Sequence, residues 1–297
     1  MNPIKSISRR AVRFLASRRL LSPRRAAMAL YRIAFGRRPD MHSPRDINEK
    51  VLWLEFNTDT SRWSELADKV AVHDFVRQRG LAHILTPIYG VWNSADEIDF
   101  DTLPDSFVLK ATDGSAQCVF VRDKRREDLD ALRRRAASWA DSKFGFAGAE
   151  PHYARIPHRI FAEQILPVPE GKLPVDYKFF CADGRPYALN VSTERDPRTF
   201  VCMRELYSLP DYTPLRGAVV PHLSSRTPHP RPRNLELMME YAAKLSAGFP
   251  FVRVDLYSIG DEIRFGEMTF TPDAGRCLYC TPEGLRILGE PITLPGL

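Results

Sequence analysis

The segment from Phe251 to Phe270, FVRVDLYSIGDEIRFGEMTF, constrains this chain more than any other. Two runs of strand-forming residues flank Gly260-Asp261, a pattern that specifies a β-hairpin. Asp255 lies on the first run and Glu267 on the second, each between hydrophobic neighbours. A carboxylate in such a place is costly unless it is paired or coordinated. Two facing carboxylates also repel each other unless a cation lies between them. A divalent metal with oxygen ligands resolves both problems, magnesium with nucleotide phosphates being the usual occupant. A second reading stays open, in which each carboxylate pairs with a nearby arginine, Arg253 or Arg264.

Charge is informative only once it is located. Of 43 Lys and Arg in 297 residues, 11 fall within residues 1–38, which contain no acid; the remainder carries 32 basic against 37 acidic residues, a net of −5. The basic character therefore belongs to the N-terminal segment, and no nucleic acid partner is expected. A basic run favours anionic surfaces such as lipid headgroups. Ile4, Ile7, Phe14, Leu15, Leu20 and Leu21 are interleaved with arginines, which suits an amphipathic helix lying on an anionic membrane. A helix docked on the body of the protein is the alternative. The run Ala26 to Leu30 is too short and too late for a secretory signal, and no stretch approaches the roughly 20 apolar residues of a membrane span. The expected location is the cytoplasm, with any membrane contact made by residues 1–38 at its inner face.

Five cysteines without framework spacing suit a reducing compartment. Cys277-x-x-Cys280 lacks the further ligands that a structural zinc needs.

Along the chain, residues 1–40 read as a basic amphipathic extension and 41–105 as a helical or mixed region. Helices are expected from SPRDINEK onward and through LADKVAVHDFVRQRG, where Leu66, Val70 and Phe75 keep helical spacing up to Gly80. ILTPIYGVW reads as a short strand or loop. FVLK and CVFVRD flank ATDGSAQ as a strand, loop and strand, followed by a charged helix from Arg125 to Ala140 and a buried strand in HRIFAEQIL. PVPEGKLP marks a boundary between lobes at 106–168 and 169–297. VDYKFFCADGRPYALNVST predicts two antiparallel strands joined at Ala182-Asp183-Gly184. Residues 194–233 read as irregular, with Arg195, Arg198 and Arg204 placed to grip an anionic substrate or to lie in solvent. A helix from Asn234 to Ala247 precedes the final strand pair.

Lys110 ends FVLK directly before a loop of small residues that can offer backbone N–H groups to an anion. A lysine there neutralises phosphate as a point charge. Taken alone the signal is weak, and Lys178 is equally ambiguous between a surface lysine and a phosphate ligand.

The order of these pieces carries more. NEKVLWLEF, LADKVAVHDFV, PIYGVW, DSFVLKATDGSA, HRIFAEQIL, DYKFFCADGRP and GFPFVRVDLYSIGDEIRFGEMTFTP follow one another as in the ATP-grasp superfamily, and the stretch from about Ser43 to Gly275 closely resembles its TupA-like branch, associated with teichuronopeptide and other surface polysaccharide biosynthesis. The resemblance implies an α+β ATP-grasp fold, two α+β lobes clasping ATP after a helical N-terminal region. It places Lys69 and Lys110 on the nucleotide, and Gly114 and Ser115 in the loop over the triphosphate. Glu163, Gln164, Ile165 and Leu166 fall on the segment that reads the adenine edge, Asp176 on the ribose, and Lys178 at the phosphates. Asp255, Glu267 and Thr269 fall on the Mg2+ ligands, and Arg253 on the residue that steadies an acyl-phosphate. Three positions depart from the pattern: Thr269 stands where Asn is usual, Ala116 where a second loop glycine is expected, and Asp273 where the branch tends to have glycine. The implied activity is an ATP- and Mg-dependent carboxylate-amine ligase acting on a small carboxylate and an amine, one of them carried by a sugar or carboxylated saccharide. A phosphotransferase and a catalytically silent nucleotide-binding scaffold are the alternatives.

Overall fold

The computed structural model describes residues 3–168, 173–196, 199, 201–225 and 227–297. Where the sequence suggests one N-terminal helix there are two. α1 (Pro3–Ser17) stops before Arg19, which takes a left-handed φ of 58°. α2 (Pro23–Phe35) starts because Ser22 caps the Arg25 N–H and Pro23 occupies the first turn, where its missing N–H costs nothing. α2 docks on the body by burying Ala26, Ala27, Leu30 and Tyr31 against Leu52 and Ala149. No helix among the described residues is long and apolar enough to cross a membrane.

α3 (Ile47–Asn57) is capped by Asp46, whose Oδ1 accepts the Glu49 N–H at 2.9 Å. The single helix expected through LADKVAVHDFVRQRG is instead divided into α4 (Ser61–Ala67) and α5 (Val72–Gln78). Asp68 makes the division, because its Oδ1 accepts the N–H groups of Val70 (2.8 Å) and Ala71 (3.0 Å) and offers the backbone an alternative to the helical ladder.

β1 (Ile88–Trp92), β2 (Phe107–Ala111), β3 (Cys118–Val121) and, beyond α6 (Leu129–Ala137) and α7 (Phe144–Gly148), β4 (Ile160–Glu163) form an antiparallel sheet in the order β1-β4-β2-β3. β1 therefore belongs to this first sheet, although it precedes residue 106. α6 is shorter than the expected Arg125 to Ala140. Alternation divides β2: Phe107, Leu109 and Ala111 join the core with Leu132 and Ala136 of α6, while Val108 and Lys110 face the other way.

The second sheet is built from β5 (Asp176–Ala182), β6 (Arg185–Thr193), β7 (Met203–Ser208), β8 (Thr213–Pro214) and, after α8 (Leu235–Ser246), β9 (Val252–Ile259) and β10 (Glu262–Thr269). Its order is β10-β9-β5-β6-β7-β8, antiparallel throughout. β7 and β8 lie in the stretch expected to be irregular; the strand buries Leu206 and Tyr207 in the main core. α8 covers this sheet with Leu235, Met238, Ala242 and Leu245. The same core takes in α4 and α5, with Trp63 stacked on Phe270 at 4.9 Å, so the helices before the first lobe pack on the second. The expected boundary at PVPEGKLP falls between the two sheets, and residues 169–172 of it lie outside the described residues.

α9 (Pro282–Gly289), absent from the sequence reading, is capped by Thr281 and packs on α3. Gly289 permits the approach, since a Cβ there would come within 2.6 Å of the Asp46 carbonyl carbon. Lys50 Nζ donates to the Ile292 carbonyl at 2.7 Å across the same contact.

A buried polar group lies between α3, the segment before β4 and the segment after β10. Thr271 Oγ1 donates to Glu150 Oε1 at 2.6 Å, and His152 Nδ1 lies 3.5 Å from Glu55 Oε1. Burial pushes the Glu150 carboxyl up to about 7 and the His152 imidazole down to about 3. Because the folded value for Glu150 lies above its unfolded one, its contribution to stability is present below pH 4.5 and is lost as pH rises through 7. Glu150→Gln cannot ionise, so urea midpoints of wild type should fall relative to the variant between pH 5 and 8, by up to about 3 kcal/mol. A constant difference between the two proteins across that range would show that Glu150 stays ionised in the fold.

Candidate active site

The hairpin of β9 and β10 sets Asp255 directly opposite Glu267, and β5 sets Lys178 opposite Asp255 on the other side. Three strands thus present lysine, aspartate and glutamate as one ladder, with a bulge at Gly266 interrupting the register just before Glu267. Arg253 fixes the ladder from two residues earlier on β9 itself. Its Nε donates to Asp255 Oδ1 (2.6 Å) and its Nη2 to Asp255 Oδ2 (2.7 Å), Glu267 Oε1 (3.0 Å) and Thr269 Oγ1 (3.0 Å). Thr269 Oγ1 in turn donates to Glu267 Oε1 at 3.1 Å. Of the two arginines considered from sequence, Arg253 is the one that pairs; Arg264 bonds to Glu262 and to the His83 carbonyl.

Burial alone would raise the Asp255 carboxyl, but Arg253 and Lys178 hold it below the usual carboxylate range. Lys178 Nζ bridges Asp255 and Asp176 (2.6 Å), and Asp176 also accepts from Arg195 Nη1 at 3.0 Å. One oxygen of Asp176, Oδ1, is buried without a partner. Lys110 pairs with Glu163, which keeps the ammonium charged against its burial. Lys69 donates to the Gly114 carbonyl and is pushed down by burial.

These groups line two connected spaces. A cleft of about 780 Å³ holds Lys69, Lys110, Gly114, Ser115, Lys178 and the whole ladder. A slot of about 70 Å³ opens beside it, walled by Val108, Phe120, Phe161, Ile165, Leu166 and Phe265; Lys69, Lys110 and Arg195 line both. Glu163 and Gln164 also line the slot, the Gln164 N–H being donated to the Pro87 carbonyl at 3.0 Å. Every residue that the resemblance places on nucleotide or metal thus lines one space or the other. Arg195 and Arg204 line the cleft, Arg204 lying 4.6 Å over the Tyr279 ring, whereas Arg198 lies outside the described residues. Sequence reading missed Arg9, Arg13, Glu150 and Arg276 on the same wall, because only tertiary packing brings them there.

The donor set fits a hard cation. Glu267 keeps its side chain 36% exposed toward the cleft, and two carboxylates with one hydroxyl are what magnesium takes when phosphates supply the rest. Among the described residues no group of three or more His, Cys, Asp or Glu forms a protein-only metal cage. Cys277 and Cys280 are free and buried, and burial pushes both thiols up.

The loop after Lys110 is held at three points: Lys69 to Gly114, Asp113 to His158 (2.8 Å), and Gln117 to Ser142 (2.7 Å). Both departures toward non-glycine residues carry positive φ, 60° at Ala116 and 49° at Asp273. An L-residue with a Cβ is strained there, aspartate less than alanine. Ala116→Gly should therefore raise the urea midpoint by the equivalent of about 0.5–1 kcal/mol; a lowered midpoint would contradict the strain at this loop.

Among solved structures the chain is similar to the D-alanine–D-alanine ligase of Helicobacter pylori (14% identity, 85% of this chain and 70% of that one, TM-score 0.44). It is also similar to that of Bacillus anthracis (14%, 81% and 64%, 0.43) and to the L-amino acid ligase of Bacillus licheniformis (13%, 76% and 47%, 0.45). The chain thus spans less than two thirds of the length of the second and third. No curated protein matches in sequence. The model of the family described as TupA-like ATPgrasp matches residues 49–293, and the chain belongs to that family.

Proposed function

We propose that the protein is an ATP-dependent carboxylate-amine ligase, joining an amino acid to a sugar or carboxylated saccharide in surface polysaccharide biosynthesis. The observation that carries this reading is the ladder of Lys178, Asp255 and Glu267 set beside a slot with both apolar and charged walls. Adenine suits the slot, where Ile165 and Leu166 lie on the strand-to-linker segment, with Asp176 near the ribose. Lys69, Lys110 and Lys178 then neutralise phosphate, and the loop at Gly114 and Ser115 covers it. Asp255, Glu267 and Thr269 would hold magnesium, which supplies charge neutralisation to the β- and γ-phosphates. The substrate carboxylate attacks the γ-phosphorus, ADP leaves, and the amine displaces phosphate from the acyl-phosphate. Arg253 keeps the two carboxylates fixed and steadies the acyl-phosphate, so catalysis comes from positioning rather than from a protein nucleophile.

Contact with an anionic membrane belongs to the same proposal. On α1 the inner face carries Val12 and Ala16, while Ile4, Ile7 and Phe14 on the opposite side are 70%, 67% and 57% exposed among basic residues. Such a stripe suits the headgroup boundary of a bilayer.

Incubation with ATP, magnesium, pooled amino acids and candidate sugars should release ADP and free phosphate together. ADP with a phosphorylated acceptor would identify a phosphotransferase, and no turnover a scaffold. Asp255→Asn and the more exposed Glu267→Gln should each lower ADP release by on the order of 10²-fold or more; full turnover in both would remove the metal assignment. Ile7→Ser combined with Phe14→Ser should release the protein from sedimenting phosphatidylglycerol vesicles, and unchanged sedimentation would refute the membrane contact.

A further inference from the structure

The cleft has one end to which the ligase reaction assigns no role. α1 runs along α2 and α7 and brings Arg9 and Arg13 to the cleft wall, where Arg276, from the turn after β10, also stands. The cations at the other end are already paired: Lys69 with a carbonyl, Lys110 with Glu163, Lys178 with two aspartates, and Arg253 with both carboxylates of the ladder. Among the described residues the three arginines at the α1 end have no carboxylate partner, and the hydrogen bonds they make are to carbonyls. Arg13 Nε donates to the Ala147 carbonyl (3.3 Å) and Arg276 Nη2 to the Gly148 carbonyl (3.2 Å), so both are anchored on the last residues of α7 through one edge. Arg276 Nη1 is buried with no hydrogen-bond partner. Among the described residues none of the three lies within 4 Å of a carboxylate.

The acids nearest to Arg276 do not change this. Glu150 attracts Arg276 but its carboxyl is bonded to Thr271, Glu55 is buried beside His152, and Asp273 is exposed, so none of them meets the free Nη1. Arg13 and Arg276 also repel one another, which adds to the effect of burial on Arg276. A guanidinium nitrogen buried without a partner, on a wall shared with two further arginines, is stabilised by a ligand that accepts several N–H bonds at once, which is the chemistry of phosphate and carboxylate.

We propose that Arg9, Arg13 and Arg276 form an anion-binding subsite that holds a phosphate or carboxylate of the acceptor substrate, away from the reacting carbon. Calling the anion part of the acceptor rests on the nucleotide filling the other end of the cleft, as proposed above. The anion is carried either by a lipid headgroup or by a soluble molecule, since the exposed stripe of α1 lies on the opposite side of the same helix.

The test uses full-length protein saturated with AMPPNP and magnesium, so that the phosphate end is filled, and titrates inorganic phosphate by calorimetry. Wild type should bind phosphate saturably. Arg9→Gln combined with Arg13→Gln should weaken this by about tenfold or more, and Arg276→Lys, which keeps the charge but loses the fork, by less. AMPPNP affinity should be unchanged in both, which also reports intact folding. No saturable phosphate binding by wild type, or equal affinity in the double variant, overturns the subsite. Failure of AMPPNP to bind wild type overturns the nucleotide reading instead, and phosphate titrated without nucleotide then still reads the arginines. Competition by phosphatidylglycerol vesicles places the anion on a lipid and competition by glycerol 3-phosphate on a soluble molecule; failure of both to compete overturns the proposal.

Discussion

Arg253 is the interaction on which the site depends. Two carboxylates on neighbouring strands of a buried hairpin would repel each other and pay heavily for leaving water. A guanidinium that donates to Asp255 through two nitrogens, and to Glu267 and Thr269 through one of them, resolves both costs with a single side chain. Its planar fork matters, because a lysine at 253 has no rigid geometry with which to span two strands. The site is therefore ordered by the protein's own charges.

Much of this was legible in the sequence where a turn signal and a period-two pattern coincide. The hairpins of β2 and β3, β5 and β6, and β9 and β10 each have small or turn-forming residues between alternating runs, and each is found as read. The elements that were missed lacked one of the two signals. β7 is embedded in a Pro-, Arg- and Ser-rich stretch whose composition hides a strand that exists because β6 offers it an edge. The split of α4 from α5 turns on one side chain, Asp68, that competes with the helix for two N–H groups. α9 had a legible Thr-Pro start at Thr281, and that signal went unused.

The candidate site divides in the same way. Asp255 and Glu267 are readable because the two strands of one hairpin bring them face to face, whereas Lys178 gains its place only from the resemblance. Arg9, Arg13, Glu150 and Arg276 are not readable, because their meeting depends on how α1, α7 and the turn after β10 pack. A basic N-terminal run reads the same in sequence whether it hangs in solvent or walls a cleft. The structure separates the two cases: α2 is docked through Tyr31 and its alanines, and α1 is divided between an inner and an outer face.

The contact between α3 and α9 has a consequence for how the chain reaches this structure. Lys50 and Ile292 are 242 residues apart, and Gly289 closes against Asp46. Loop closure over such a distance is slow, and contacts of this kind dominate folding time. During synthesis α3 is made well before the helix that covers it. Its packing is therefore completed only after α9 has been translated, and α1 to α3 must stay soluble until then, a task for which the high density of arginine in α1 and α2 is well suited.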